Sequence, residues 1–159
     1  MKKIAVFPGS FDPFTVGHES IVERAVSLFD EIIIAVGINI NKQDFFPLDM
    51  RMKLIHDVFI KNEKITVDKY QGLTVEYCKK VNAKYIIRGL RTSSDFEYER
   101  AYGQVNKTLN EGIETIFLLT YPEHSFVNSS IVRDIIRNGG NASKFLPAHI
   151  DINQYMKEQ

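Results

Sequence analysis

The sequence predicts an α/β fold: a doubly wound, Rossmann-like parallel sheet of five strands in the order 3-2-1-4-5. Two observations predict it. Short apolar runs alternate with amphipathic stretches from the first residues onward, which implies strands joined by right-handed helical crossovers. Some runs, such as Glu31 to Ile38, are apolar on both faces, the pattern of a parallel sheet covered by helices.

The elements follow in order. Ile4 to Phe7 reads as a short buried strand and Gly9 to Val16 as a turn-rich loop. Glu19 to Phe29 is helical, because Ile21, Val22, Ala25, Val26 and Phe29 share one face. Glu31 to Ile38 is the second strand, followed by a polar loop, Asn39 to Pro47. Leu48 to Phe59 is helical, with Leu48, Met52, Ile55 and Phe59 aligned. Ile65 to Lys69 is the third strand, Thr74 to Val81 a short helix and Lys84 to Ile87 the fourth strand. A helix runs from Asp95 to Leu109, the fifth strand from Glu114 to Leu119, and a helix from Ser129 to Arg137, stopped by Gly139-Gly140. Pro147 marks the entry to a last helix through Tyr155. No linker or repeat interrupts residues 1–159, which read as one domain.

Composition narrows the function classes. Lys plus Arg and Asp plus Glu number 20 each, so no general nucleic-acid coat is expected and any anion site must be built by placement. The single cysteine, Cys78, reads as a small inert helix residue and suits a reducing cytoplasm. The apolar run after Met1-Lys2-Lys3 is cut by Pro8 and Gly9, too soon for a signal peptide. No apolar run approaches membrane-spanning length.

In an open parallel sheet, ligands sit at the carboxyl ends of the strands where the order reverses, here between strands one and four. The two most unusual loops follow those strands. Pro8-Gly9-Ser10-Phe11-Asp12-Pro13-Phe14-Thr15-Val16-Gly17-His18 leads into a helix, whose free N–H groups favour anions. It matches neither a dinucleotide fingerprint nor a Walker A loop. Ile87-Arg88-Gly89-Leu90-Arg91 offers two arginines that can clamp phosphate oxygens. The carboxylates of Asp95 to Glu99 could orient them, while Glu97 and Arg100 read as an ordinary charged helix face. His124 to Arg133 opens a further helix, where Ser129 or Ser130 either caps the helix or holds phosphate; both readings stand. Lys42, taken alone, is a solvated loop lysine.

The four histidines lack metal-ligand spacing, and no metal site is expected. No serine–histidine–acid triad is evident either. Phosphate clamps without a base suit phosphoryl or nucleotidyl transfer. A flavodoxin-like binding module is the alternative from another class.

Together these residues resemble the nucleotidyltransferase superfamily with a [HT]-x-G-H motif, here Thr15-Val16-Gly17-His18. More closely they resemble the bacterial phosphopantetheine adenylyltransferases. The carriers are Pro8 to His18, Ile87 to Arg91, Asp95 to Glu99, Ser125 to Ser130 and Phe145-Leu146-Pro147. The resemblance implies transfer of AMP from ATP to 4′-phosphopantetheine, by direct attack of the acceptor phosphate. It implies that His18 stabilises charge at the α-phosphate, and that Ser10 and Lys42 hold the acceptor phosphate. Arg88 would meet the acceptor, with Thr74 along its arm. ATP would be held by Ser10, Phe11, His18, Gly89, Leu90, Arg91 and Glu99, and by His124, Ser125, Phe126, Val127, Asn128, Ser129 and Ser130. Mg²⁺ would travel with the triphosphate. The family is typically hexameric, and coenzyme A can occupy its site. The chain departs from the usual pattern at Thr74, Thr92, Arg100, Tyr102-Gly103, His124 and Asn128. A sister transferase with another acceptor, nicotinamide mononucleotide or glycerol phosphate, is the second enzyme reading.

Overall fold

A computed structural model describes residues 1–157. Five parallel strands form one sheet: β1 (Ile4–Gly9), β2 (Glu31–Ile38), β3 (Ile65–Gln71), β4 (Tyr85–Leu90) and β5 (Glu114–Leu119). Their order is β3-β2-β1-β4-β5, as expected. The helices are α1 (Val16–Ala25), α2 (Leu48–Phe59), α3 (Thr74–Lys80), α4 (Ser93–Leu109), α5 (Ser129–Arg137) and α6 (Ile152–Lys157).

The two-residue period of the strands divides the core into two layers. Ala5, Phe7, Ile32, Ile34, Val36 and Ile87 point to one face and pack with Ile21 and Val22 of α1, Leu54 and Ile55 of α2, and Val132 of α5. Val6, Ile33, Ala35 and Ile86 point to the other and pack with Val75, Tyr77 and Cys78 of α3. Strands covered on both sides are why these runs are apolar without alternation. Cys78 is buried here, and burial pushes its thiol up to about 12, the inert residue expected. Among the described residues, no helix is long and apolar enough to cross a membrane.

Several boundaries differ from expectation, each for a local reason. α1 starts at Val16 rather than Glu19, because the Thr15 side chain accepts from the His18 N–H and caps the helix. It ends at Ala25; Phe29 is buried from beyond the helix, its ring 5.3 Å from that of Tyr85. β4 continues through Arg88 and Gly89 to Leu90, because these residues stay in register with Phe117 to Leu119 of β5. The final helix begins at Ile152, not at Pro147, which instead accepts from the Ile150 N–H in a turn. Short 3-10 turns at Pro122–His124 and Ser143–Phe145 were not foreshadowed by periodicity.

One feature of the sheet positions the site. β1 pairs with β2 over its whole length, from Ile4↔Glu31 to Gly9↔Val36. It pairs with β4 only at Ala5↔Tyr85 and Val6↔Ile86. Beyond those pairs the strands part. Pro8 lies in the unpaired portion and has no N–H to give a ladder. Its carbonyl accepts instead from Nη1 of Arg88, at 2.8 Å.

Ile87, fully buried next to this parting, tests the packing account. Ile87→Ala is expected to cost about 2–5 kcal/mol in urea unfolding; a loss under about 1 kcal/mol would show that the site relaxes and that this layer is not tightly packed.

Candidate active site

The parting of β1 and β4 opens a cleft of about 360 Å³ at their carboxyl ends. Ser10, Phe11, Gly17, His18, Lys42, Arg88, Gly89, Arg91, Glu99, His124, Val127, Asn128, Ser129 and Ser130 all line it. Leu90, Ser125 and Phe126 do not. Leu90 is buried and its carbonyl accepts from the Thr120 N–H. The Ser125 hydroxyl donates to the Pro122 carbonyl, and the exposed Phe126 ring lies 6.5 Å from that of Phe145. Thr74 lies in an adjoining groove of about 620 Å³, with Gly37, Tyr70, Tyr98, Tyr102 and Asn106. Pro8, Gly9, Ser10, Arg88 and Glu99 belong to both, so this set marks the join.

The loop after β1 folds into an aromatic bed for His18. Phe11 has a left-handed backbone, φ 48°, and its ring lies over Gly9, where a Cβ would come within 2.8 Å of it. Only glycine fits beneath that ring. Phe11 is 3% exposed. Its ring meets His18 edge-on at 5.1 Å, with Phe7 and Phe14 at 6.2 and 5.3 Å from the same imidazole. Phe11 therefore supports the histidine more than it faces a ligand.

The capping box at Thr15 sets the histidine's proton. The Thr15 N–H donates to Nδ1 of His18 at 3.0 Å, and the Thr15 hydroxyl is also 3.0 Å from Nδ1. A backbone N–H can only donate, so Nδ1 is the unprotonated nitrogen of the neutral ring. Nε2 then carries the hydrogen and is the donor. His18 keeps some exposure on the cleft, but its ring is walled by phenylalanines. Burial lowers its pKa to about 3, helped by the charges of Arg88 and Arg91. The imidazole is therefore neutral at neutral pH and works as a hydrogen-bond donor, not as a cation.

The arginines are preset by carboxylates. Arg88 donates from Nε to Glu99 at 2.8 Å, and from Nη2 to the other Glu99 oxygen in a short contact. With Pro8 this fixes the guanidinium across the mouth of the cleft. Glu99 is thus engaged by Arg88. Arg91 is held likewise by Asp95, which accepts from its backbone N–H and from Nε, each at 3.0 Å. The Lys42 ammonium makes no hydrogen bond or ion pair with any described residue, so the cleft holds one cation without a partner.

At the opposite wall, α5 presents its first turn. Its cap is Asn128, whose side chain accepts from the Ile131 N–H at 2.9 Å; neither Ser129 nor Ser130 caps it. The Ser129 hydroxyl donates to the Pro13 carbonyl, and the Ser130 hydroxyl accepts from Arg133. Ser129 and Ser130 occupy the helix positions whose N–H groups favour anions.

Sequence reasoning gave no role to four residues. Arg133 lines the cleft and donates to the Asp12 carbonyl at 2.7 Å; its signal was a place one turn after Ser129. Thr120 lines it too and carried no signal. Asp12 and Arg51 are buried beside it. Arg51 sits three residues after Leu48 and four before Ile55, on the apolar stripe of α2, and an arginine there was the available clue.

In the folded chain His18 takes a proton only near pH 3, while the unfolded chain takes it near 6.5. Between those values the unfolded state binds more protons, so this group costs stability progressively as pH falls. ¹⁵N NMR of the imidazole is expected to show the Nε2–H tautomer and no titration from pH 5 to 8. A midpoint above 5, or an Nδ1–H tautomer, would contradict the assignment.

The cytidylyltransferase-like family profile matches residues 6–135. A phosphopantetheine adenylyltransferase of Flavobacterium psychrophilum is 49% identical over 148 residues, covering 93% of this chain and 97% of that one. One from Leptospira biflexa is 50% identical over 147 residues, covering 92% of each. Among solved structures, a bifunctional NMN adenylyltransferase/ADP ribose pyrophosphatase of Francisella tularensis matches with a TM-score of 0.72 at 17% identity. It covers 99% of this chain, which spans about half (49%) of that protein, and supports the fold alone. Identity near one half over nearly the full length of the curated relatives places the chain in the phosphopantetheine adenylyltransferase family of cytidylyltransferase-like nucleotidyltransferases.

Proposed function

We propose that this chain transfers AMP from ATP to 4′-phosphopantetheine, forming dephospho-coenzyme A and pyrophosphate in coenzyme A biosynthesis in the cytoplasm. Family membership supports the reaction. The observation that carries it further is the convergence of His18, Arg91, Lys42 and the first turn of α5 on one cleft at the strand parting.

In this reading a phosphate oxygen of the acceptor attacks the α-phosphorus of ATP. That P–O bond forms as the bond from the α-phosphorus to the bridging oxygen of pyrophosphate breaks. The acceptor phosphate is largely ionised near neutral pH, so no proton need be removed. The protein's work is alignment and charge stabilisation. His18 donates its Nε2–H to an α-phosphate oxygen as charge builds there. Lys42 and the Ser10 hydroxyl hold the acceptor phosphate. Arg88, at the join of cleft and groove, meets the acceptor, whose arm extends past Thr74. Arg91, Gly89 and the turn from His124 to Ser130 hold ATP, with Ser129 and Ser130 turned to the phosphates. Glu99 acts through Arg88, to which it is bonded.

Magnesium enters as part of the substrate, MgATP. Among the described residues no group of three His, Cys, Asp or Glu side chains is placed to hold a metal, and Asp95 and Glu99 are engaged by arginines. A homohexamer fits a further feature. None of the 17 residues of α4 is buried, and Phe96, Tyr98, Tyr102, Val105 and Leu109 are exposed on it. Coenzyme A, which contains both product halves, is the expected feedback ligand of the same cleft and groove.

Pyrophosphate release from MgATP tests the function, with 4′-phosphopantetheine, nicotinamide mononucleotide or glycerol 3-phosphate as acceptor. Release is expected only with the first; release with another would reassign the acceptor. His18→Ala is expected to keep the fold and lower kcat about 10²–10³-fold, as loss of one transition-state donor does. Turnover within about threefold of the parent would remove His18 from its role.

A further inference from the structure

Two charged side chains beside the cleft are almost wholly buried, Asp12 at 4% exposure and Arg51 at 2%. Asp12, in the loop after β1, accepts from the N–H groups of Phe45 and Phe46 at 2.8 Å each. Those residues lie in the loop after β2. Arg51, on α2, holds both loops at once. Its Nη1 donates to the Ser10 carbonyl at 2.6 Å, its Nε to the Phe46 carbonyl at 3.0 Å and its Nη2 to Asp44 at 2.5 Å. Arg51 does not line the cleft. A buried arginine adds little net stability over an apolar residue of similar volume. Its rigid fork of donors does something an apolar residue cannot, which is to fix two backbones in one register.

The two loops carry Ser10 and Lys42, the residues that the proposed function assigns to the acceptor phosphate. Ser10 is gripped directly through its carbonyl. Lys42 lies two residues before Asp44 and four before Phe46, both bonded by Arg51. Of the groups the proposed function gives to ATP, His18 sits on α1 and is held by the Thr15 backbone, while the others lie at the end of β4, after β5 and at the start of α5; none of them is bonded by Arg51. We infer that Arg51 is a positioning residue for the acceptor: it sets the separation of Ser10 from Lys42 and so the place of the attacking phosphate. The inference rests on the acceptor reading above.

The substitutions Arg51→Met, of similar volume with no donors, and Arg51→Lys, with a single donor group, test it in the full-length protein. Initial rates with MgATP and 4′-phosphopantetheine would be read beside Tm. Arg51→Met is expected to raise the KM of the acceptor at least about tenfold, a modest share of what small misplacements cost. The KM of ATP should stay within about twofold, and Arg51→Lys should fall between. A purely structural role would lower Tm and move both KM values together, or neither, and that result overturns the inference. Should Arg51→Met fail to fold, Asp44→Asn weakens one contact of the same fork. It is expected to raise only the acceptor KM, by a smaller factor, and an unchanged acceptor KM there overturns the inference equally. Parent enzyme that forms no dephospho-coenzyme A would instead overturn the reading on which the inference rests.

Discussion

The site depends on the parting of β1 from β4. A parallel sheet is held by regular ladders, and a ladder between these strands would close the space that a ligand needs. Two pairs join them, and then Pro8 arrives with no N–H to continue. The strand stays extended because β2 pairs with it on the other side as far as Gly9. The gap is spanned by a side chain in place of a ladder, from Arg88 to the Pro8 carbonyl. A guanidinium therefore stands in the opening, with donors left over for an anion. The two helices whose first turns line the gap, α1 and α5, add the positive ends of their dipoles.

Electrostatics inside the gap are arranged in advance. Arg88 and Arg91 each have a carboxylate that orients them. Burial against three phenylalanine rings, helped by the charge of the two arginines, keeps His18 neutral. The backbone of Thr15 then leaves only one nitrogen free to donate. Each of these constraints costs something locally, such as the left-handed Phe11 or the buried imidazole, and together they spare reorganisation when charge develops on a phosphate. Lys42 is the exception, a cation with no partner among the described residues, which suits a group whose partner arrives with the substrate.

Much of this was legible in the sequence. Apolar runs mark the strands, and the unusual loops after strands one and four mark the cleft. The helix at Leu48–Phe59 and the strand at Glu31–Ile38 were bounded as observed. Periodicity failed where single contacts decide. It could not tell that Thr15 bonds back to His18 and starts α1 early, or that Arg88 and Gly89 remain in β4. Either Ser129 or Ser130 reads from the sequence as a cap or as a phosphate holder, and the cap is the neighbouring Asn128. Asp12, named in the first loop, and Arg51 have no role legible in the sequence, because burial of a charge is a tertiary fact. Their partners explain them, among them backbone groups 34 and 41 positions away.

The central claim is that the acceptor phosphate attacks the α-phosphorus directly, with no adenylylated protein between. The most direct test is the stereochemical course with ATP made chiral at the α-phosphorus by sulfur substitution, read by ³¹P NMR of the dephospho-coenzyme A analogue formed. One in-line displacement predicts inversion of configuration. Retention would require two displacements, and hence a protein nucleophile, and would contradict the account.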